Sequence, residues 1–317
     1  METIYFLVQQ TMLFSIPLLL VALGGMFSER SGVVNIALEG IMIIGAFTGI
    51  FFISRFGNLF SPTTTLFIAI IISALSGLIF SLLHAYASIN MSADQVISGT
   101  ALNIFAPAFA IYVTRAIQVV QQISFVNNFR IESVPVLGNI PIIGNLLFKN
   151  AYITTYLGFI ILALSWFALY KTRFGLRLRS CGEHPQAADS VGINVYKMRY
   201  FGVAISGALA GIGGLVFVIP TSTNFNATVA GYGFLALAVL IFGQWKPIRI
   251  LYAAFFFGLM KTLASAYSGI PILANLPISN SVYKMIPYIT TIIVLAFTSK
   301  NSQAPKASGL PYDKSVR

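Results

Sequence analysis

Charged residues are scarce. Asp, Glu, Lys and Arg together make up 9% of the 317 residues, against the roughly 25% that keeps the surface of a soluble domain wetted. A chain this poor in charge cannot cover itself against water, so a soluble globular fold is excluded, and its apolar surface calls for lipid. Acidic groups are the fewest, 8 Asp and Glu against 19 Lys and Arg, for a net charge of +11. The basic residues sit in a few loops and do not cluster on a polar domain. That distribution excludes nucleic acid as a partner and matches the loop bias of a membrane protein. One cysteine, Cys181, excludes an intrachain disulfide, and with only 2 His it leaves no set of metal ligands. There is no Gly-x4-Gly-Lys-Ser/Thr phosphate loop, so the chain does not bind ATP in that way, and no cofactor is expected. The N-terminus also lacks the basic stretch of a cleaved signal peptide. Glu2 stands there, and the apolar run Ile4–Phe27 is too long for a signal core, so it reads as a retained helix.

What the chain has in abundance is apolar sequence, 57% of all residues. Segments of about 17–25 such residues are each long enough to cross a hydrocarbon core of roughly 30 Å. They fall at Ile4–Phe27, Val33–Ile53, Leu66–Ser88, Gln95–Arg115, Tyr152–Tyr170, Tyr200–Ile219, Ala230–Gly243, Ile248–Ala266 and Val282–Thr298. The fold class expected is therefore an all-α integral membrane bundle of about nine transmembrane segments. Ala230–Gly243 is short for a full span and reads equally as a re-entrant or half helix. The loop Lys171–Arg199 carries Lys171, Arg173, Arg177, Arg179, Lys197 and Arg199 against Glu183 and Asp189. The tail carries Lys300, Lys306, Lys314 and Arg317 against Asp313, while the loop 117–150 is nearly balanced, with Arg130 and Lys149 against Glu132. The positive-inside rule makes the first two cytoplasmic and the third external, with Cys181 inside and Asn127 outside. Threading the spans between them puts Lys246 and Arg249 inside, the N-terminus outside and the C-terminus inside. Residues 1–299 form one membrane domain. The external loop, broken by Pro135, Gly138, Pro141 and Gly144, reads as an irregular cap. The Ser-, Pro- and Lys-rich tail 300–317 reads as disordered.

Polar residues inside these segments are the candidates for function. Asn35 and Glu39 are four apart and share a helix face, and a carboxylate that deep must face protein or a water-filled cavity. It either lines a solute path or clamps helices together. Asp94, Gln95 and Asn103 form a second group: Asp94 caps a helix or joins the path, and Gln95 with Asn103 suits a pore face or a helix contact equally. Gly45 with Gly49, and Gly207 with Gly211 and Gly214, mark close helix packing. His84 reads as a helix contact. In the basic loop, Pro185 suits a first helical position and Gly192 a stop, which predicts a helix of about two turns, too short to stand alone in water. Glu183, Pro185, Ala187, Ala188, Asp189 and Gly192 are the residues expected to dock it on a partner, with the Ala187-Ala188 face at the contact. His184 and Asp189 do not make an acyl-transfer site, because no other catalytic group accompanies them. Gly231, Gly233 and Pro247 bracket an interrupted segment, with Trp245 and Lys246 as an interfacial anchor.

Four of these stretches occur in the order of one family. Glu29-Arg30-Ser31-Gly32-Val33-Val34-Asn35-Ile36-Ala37-Leu38-Glu39-Gly40, Ala93-Asp94-Gln95-Val96-Ile97-Ser98-Gly99, the loop Phe174–Tyr196 and the stretch Gly233–Pro247 together resemble the permeases of ABC importers for simple sugars, branched-chain amino acids and nucleosides. The similarity is closest to the nucleoside branch that works with basic-membrane-lipoprotein-type binding proteins, and it runs from Phe27 to Leu259. The resemblance implies that two permease subunits, identical or paralogous, enclose a path. An extracytoplasmic substrate-binding lipoprotein delivers solute, and separate ABC ATPase subunits bind the cytoplasmic loop helix. On that reading the chain is a transporter subunit of the bacterial inner membrane and not an enzyme. A secondary transporter of a small polar solute is the alternative. It would couple ions through Glu39, Asp94 or Lys261, of which Lys261 near the outer interface reads as snorkelling.

Overall fold

The computed structural model describes residues 2–134, 138, 140, 141, 144–267, 279–298 and 304–314. Among them are eleven α-helices: α1 (Glu2–Arg30), α2 (Leu38–Phe56), α3 (Pro62–Ile89), α4 (Gln95–Gln118), α5 (Ile153–Lys171), α6 (Arg173–Glu183), α7 (Pro185–Ser190), α8 (Val195–Thr221), α9 (Tyr232–Phe242), α10 (Pro247–Ala266) and α11 (Asn280–Thr298). Seven of the described helices are long and apolar enough to cross a membrane, namely α1 to α5, α8 and α10, while α9 is a shorter apolar helix. α11 carries Pro287 in its interior.

Local chemistry sets most of the boundaries. The Ser61 hydroxyl accepts from the Thr64 N–H with Pro62 in the first turn of α3, and the Asp94 carboxylate accepts from Val96 and Ile97 at the start of α4. Thr172 and Asn194 cap α6 and α8 in the same way. One boundary departs from the sequence expectation. The second span does not begin at Val33: α1 ends at Arg30, residues 31–37 are non-helical, and α2 starts only at Leu38. Hydropathy cannot register this, because an unwound apolar stretch and a helical one have the same composition.

α8 is the axis of the bundle, with most of its length buried against α1, α2 and α3. Glycine permits that approach. A methyl group on Gly45 would run into the Gly211 backbone, one on Gly77 into Gly207, and one on Gly214 into Met42. α4 and α5 lie outside this core and expose most of their surface.

The loop 117–150 is more ordered, among its described residues, than an irregular cap. β1 (Ile123–Ser124) pairs antiparallel with β4 (Asn224–Phe225), and β2 (Arg130–Ser133) with β3 (Lys149–Tyr152), which a π-helical turn at Gly144–Phe148 directly precedes. Pro135 lies outside the described residues. The pairing partner of β1 comes from beyond α8, far along the chain, so nothing local in the loop could announce it.

The tail is also a correction, since residues 304–314 are packed rather than disordered. The Ala307 N–H donates to Gly182 O at 2.8 Å and Gly309 N–H to Gly32 O at 3.2 Å. Arg199, 1% exposed, donates to Leu310 O at 3.0 Å and lies 5.9 Å from the centre of the Tyr312 ring. Lys314 reaches Asp189 at 3.8 Å. The tail's composition is that of a disordered segment, but its backbone finds partners on α6, α8 and the break before α2. Lys300 and Arg317 lie outside the described residues.

Candidate functional site

The break at 31–37 leaves backbone N–H and C=O groups inside an apolar bundle, where each unpaired group costs several kcal/mol. The polar side chains that the sequence places in this region satisfy them one by one. Gln95 Oε1 accepts from Val34 N–H at 2.7 Å. Asn103 bridges the other side of the break, donating to Ile36 O at 2.8 Å and accepting from Gly40 N–H at 2.7 Å. Asn35 accepts from Ala37 N–H at 3.1 Å and donates to the Ser206 hydroxyl of α8 at 2.9 Å. His84 Nε2 lies 2.9 Å from Val34 O and its Nδ1 2.7 Å from Ser98 Oγ. Because a carbonyl only accepts, the ring is protonated on Nε2, and Nδ1 accepts from Ser98. Asp94 is the cap of α4, while Gln95 and Asn103 on the same helix run alongside the break as a hydrogen-bonding rail.

Glu39 does a different job. Both of its carboxylate oxygens face backbone donors of α9: Oε1 accepts from Gly231 N–H at 2.9 Å and Oε2 from Gly233 N–H at 2.6 Å. It is 8% exposed. α9 has no cap of its own, because Gly231 (φ +77°) precedes it. The carboxylate of α2 therefore supplies the cap and complements the positive end of the helix dipole. Two interrupted elements, the broken start of α2 and the eleven-residue α9, thus meet at Glu39.

The far end of α9 is tied just as closely. The Trp245 indole N–H donates to Glu29 Oε2 at 2.6 Å, and the Arg30 guanidinium donates to Trp245 O at 3.1 and 3.2 Å. Trp245 is 4% exposed, so it is an internal strut and not the interfacial anchor that its position beside Lys246 suggested. Arg30 also lies 3.6 Å from Glu183 at the end of α6. A continuous chain of contacts therefore runs from α6 through Arg30 and Trp245 along α9 to Glu39. The sequence marked Glu29 and Arg30 as part of a motif without giving them a task, and their meeting with Trp245 requires the ends of α1, α6 and α9 to converge. Lys261 leans over the Tyr232 ring at 5.8 Å, beside the start of α9.

At the same end of the bundle, α7 is the short helix expected, with Pro185 in its first turn and Gly192 (φ +84°) just past its end. The Ile193 N–H closes that stop on Ala188 O at 3.1 Å. The contact face needs correcting. Ala188 and Pro185 are buried against the chain's own body, whereas Gln186, Ala187, Ser190 and Val191 face outward. An i, i+1 pair cannot share one face of a helix. Glu183 and Asp189 are paired with Arg30 and Lys314 within the subunit.

A family model described as branched-chain amino acid transport system, permease component, matches residues 7–295. The nucleoside ABC transporter permease protein NupC of Lactococcus lactis subsp. cremoris (strain MG1363) is 43% identical over 315 residues, covering 99% of this chain and 98% of that protein. The guanosine ABC transporter permease protein NupQ of Bacillus subtilis (strain 168) is 44% identical over 313 residues, covering 98% and 97%. A putative glucose ABC transporter permease protein, TsgC13, of Haloferax volcanii is 29% identical over 304 residues, covering 88% and 87%. No solved structure matches the chain. With seven apolar helices and a family match over nearly its whole length, the chain belongs to the permease-component family of the branched-chain amino acid transport systems.

Proposed function

We propose that this chain is the membrane subunit of an ABC importer for nucleosides, with guanosine the first solute to test. The observation that carries the reading is likeness over almost the full length, at 43% and 44% identity, to relatives named as nucleoside and guanosine permeases. The geometry supports it from the other direction. α6 and α7 offer an outward face at one end of the bundle, and the Arg30–Trp245 contacts link that end to the half-helix α9 in its middle. In the working complex, α7 docks on an ABC ATPase subunit and a second permease subunit covers the exposed flank. A substrate-binding lipoprotein sits on the opposite end, and α9 and α11 complete nine membrane segments. Motion of the ATPases reaches Glu39 through α9 and changes the access of a central path.

The test is uptake of radiolabelled guanosine by cells carrying the whole complex, with inosine, uridine, guanine and ribose as competitors. Nucleosides should compete and ribose should not, and an ATPase subunit unable to hydrolyse ATP should abolish uptake. Uptake that persists with the inactive ATPase would instead make this a secondary transporter.

On this reading the N-terminus lies outside and the C-terminus inside. Cys181 cannot report this, because it is fully buried and burial pushes its thiol up to about 11. Asn127 is no better, since its amide is bonded to Ile219 O and the Tyr152 hydroxyl. Val126 is 68% exposed on the external loop, and Gln186 is exposed on α7. An impermeant maleimide should label Val126→Cys in intact cells and Gln186→Cys only after permeabilisation. The opposite pattern inverts the threading.

A further inference from the structure

Residues 222–231 connect α8 to α9 without a helix. α8, at 27 residues, is about 40 Å long, and α9, at eleven, is about 16 Å long. Both have one end beside α6 and Arg30, so the connection starts at the far end of the bundle and descends to about half its depth at Gly231. Along it the side chains alternate. Phe225, Ala227 and Val229 are 3%, 6% and 0% exposed, while Asn224, Asn226 and Thr228 face outward. The upper part is fixed by β1–β4 pairing and by the Phe125 N–H on Thr223 O at 3.1 Å. The lower part is fixed by Glu39. Ala227 and Ala230 are held at φ +55° and +53°, a conformation that L residues keep only where their surroundings enforce it.

Irregular backbone at membrane depth is stable only when buried in protein or when it lines water, and outward-facing amides exclude contact with lipid tails. The inner row, Phe225, Ala227 and Val229, packs on the core. The outer row therefore faces water. Asn226 lines a cleft of about 540 Å³ with Ile111 and Arg115 of α4 and with Val119, Val120, Gln121 and Gln122 just past its end, within the roughly 300–1,000 Å³ typical of small-molecule sites. Among the described residues the Asn226 amide has no hydrogen-bond partner, and it offers both donors and an acceptor. Thr228 Oγ1 accepts from the Ala230 N–H at 3.1 Å, which leaves its own proton to donate. Arg115 is the one charged side chain of the cleft, so the lining has no attraction for cations.

We infer that Asn226 and Thr228, beneath a mouth formed by Arg115, Gln121 and Gln122, line the outer half of the solute path and hold a neutral, hydroxyl-bearing solute by amide and hydroxyl hydrogen bonds. This rests on the importer reading, within which the solute is a nucleoside recognised through its ribose hydroxyls and base edge.

The experiment uses the complete complex with its ATPase and binding lipoprotein. Background from this chain is low, because its single native thiol, Cys181, is buried. A hydrophilic methanethiosulfonate reagent should modify Asn226→Cys but not Leu164→Cys, which is 60% exposed on the apolar span α5. Guanosine at about ten times its dissociation constant should slow the Asn226→Cys reaction about tenfold, because protection follows occupancy. In the same complex, Thr228→Val and Asn226→Leu should each lower guanosine uptake about tenfold with ATP hydrolysis retained. An unreactive Asn226→Cys, labelling unaffected by guanosine, or uptake unchanged in both variants overturns the inference. Failure of the nucleoside reading is separate. In that case the unaltered complex takes up no nucleoside at all, while reactivity of Asn226→Cys with the reagent alone still reports a water-lined segment.

Discussion

Glu39→Gln should leave the complex assembled and take away most of its uptake. Glutamine can accept one of the two N–H groups now held by Glu39, at 2.9 Å from Gly231 and 2.6 Å from Gly233, but its NH₂ then faces the other donor. Hydrogen bonds to a charged group contribute about 1.5–3 kcal/mol each, and an unpaired buried donor adds about 1–3 kcal/mol more. Since about 1.4 kcal/mol is a factor of ten, the equilibrium constant for correctly seating α9 should fall by about two to four orders of magnitude. Uptake should fall with it for every solute alike, because the damage is to a helix position and not to one contact. The melting temperature of the purified complex should drop by several degrees, and Glu39→Asp, which keeps the charge but shortens the reach, should fall between. A path-lining carboxylate predicts something else: an unchanged melting temperature and a loss that differs between guanosine and other solutes. Wild-type uptake and melting in Glu39→Gln would remove the clamp altogether.

The second large effect is expected on α7, at Ala187. Ala187→Trp places a bulky ring on the outward face, whereas Ala188, 3% exposed, is already packed inside the subunit. Ala187→Trp should therefore keep expression, thermal stability and binding-lipoprotein docking while solute-stimulated ATP hydrolysis falls at least about tenfold. A contact at the packed centre of a docking surface, where hot spots lie, is worth about 2 kcal/mol or more. Ala188→Trp should instead destabilise the subunit itself, because an overpacked core site costs about 1–3 kcal/mol. Its loss of hydrolysis would accompany reduced protein yield. Normal stimulated hydrolysis in Ala187→Trp would remove α7 from the coupling contact and shift attention to the exposed Leu176 of α6.

The two substitutions probe opposite ends of one connected structure. α7 continues from α6, Glu183 of α6 lies beside Arg30, and Arg30 holds Trp245 at the foot of α9, whose head is held by Glu39. The packed tail belongs to the same end, since Ala307 is bonded to Gly182 and Lys314 reaches Asp189. A rigid helix with polar ties at both ends moves as a unit, which is why loss at either end is expected to reach the middle of the membrane.

The sequence by itself determined the membrane class, the helical architecture, the approximate places of the seven long spans apart from the start of the second, and the short α7, and it marked Asn35, Glu39, Gln95 and Asn103 as polar groups among apolar runs. These follow from composition, from runs of apolar residues and from local signals such as Pro185, Gly192 and Asp94, all of which act within a few residues along the chain. The tertiary structure alone decided what those polar residues do. That Gln95, Asn103 and His84 serve one stretch of unwound backbone, and that Glu39 caps a helix nearly two hundred positions away, depends on α2, α3, α4 and α9 meeting at one depth. It also decided that Ala188 points inward, that Trp245 is buried and that residues 304–314 are packed. The physical reason is the same in each case. An apolar helix looks alike in sequence whether it is continuous or broken, and a polar side chain carries no mark of its partner. The demand that every buried backbone group be paired acts only once the helices have come together.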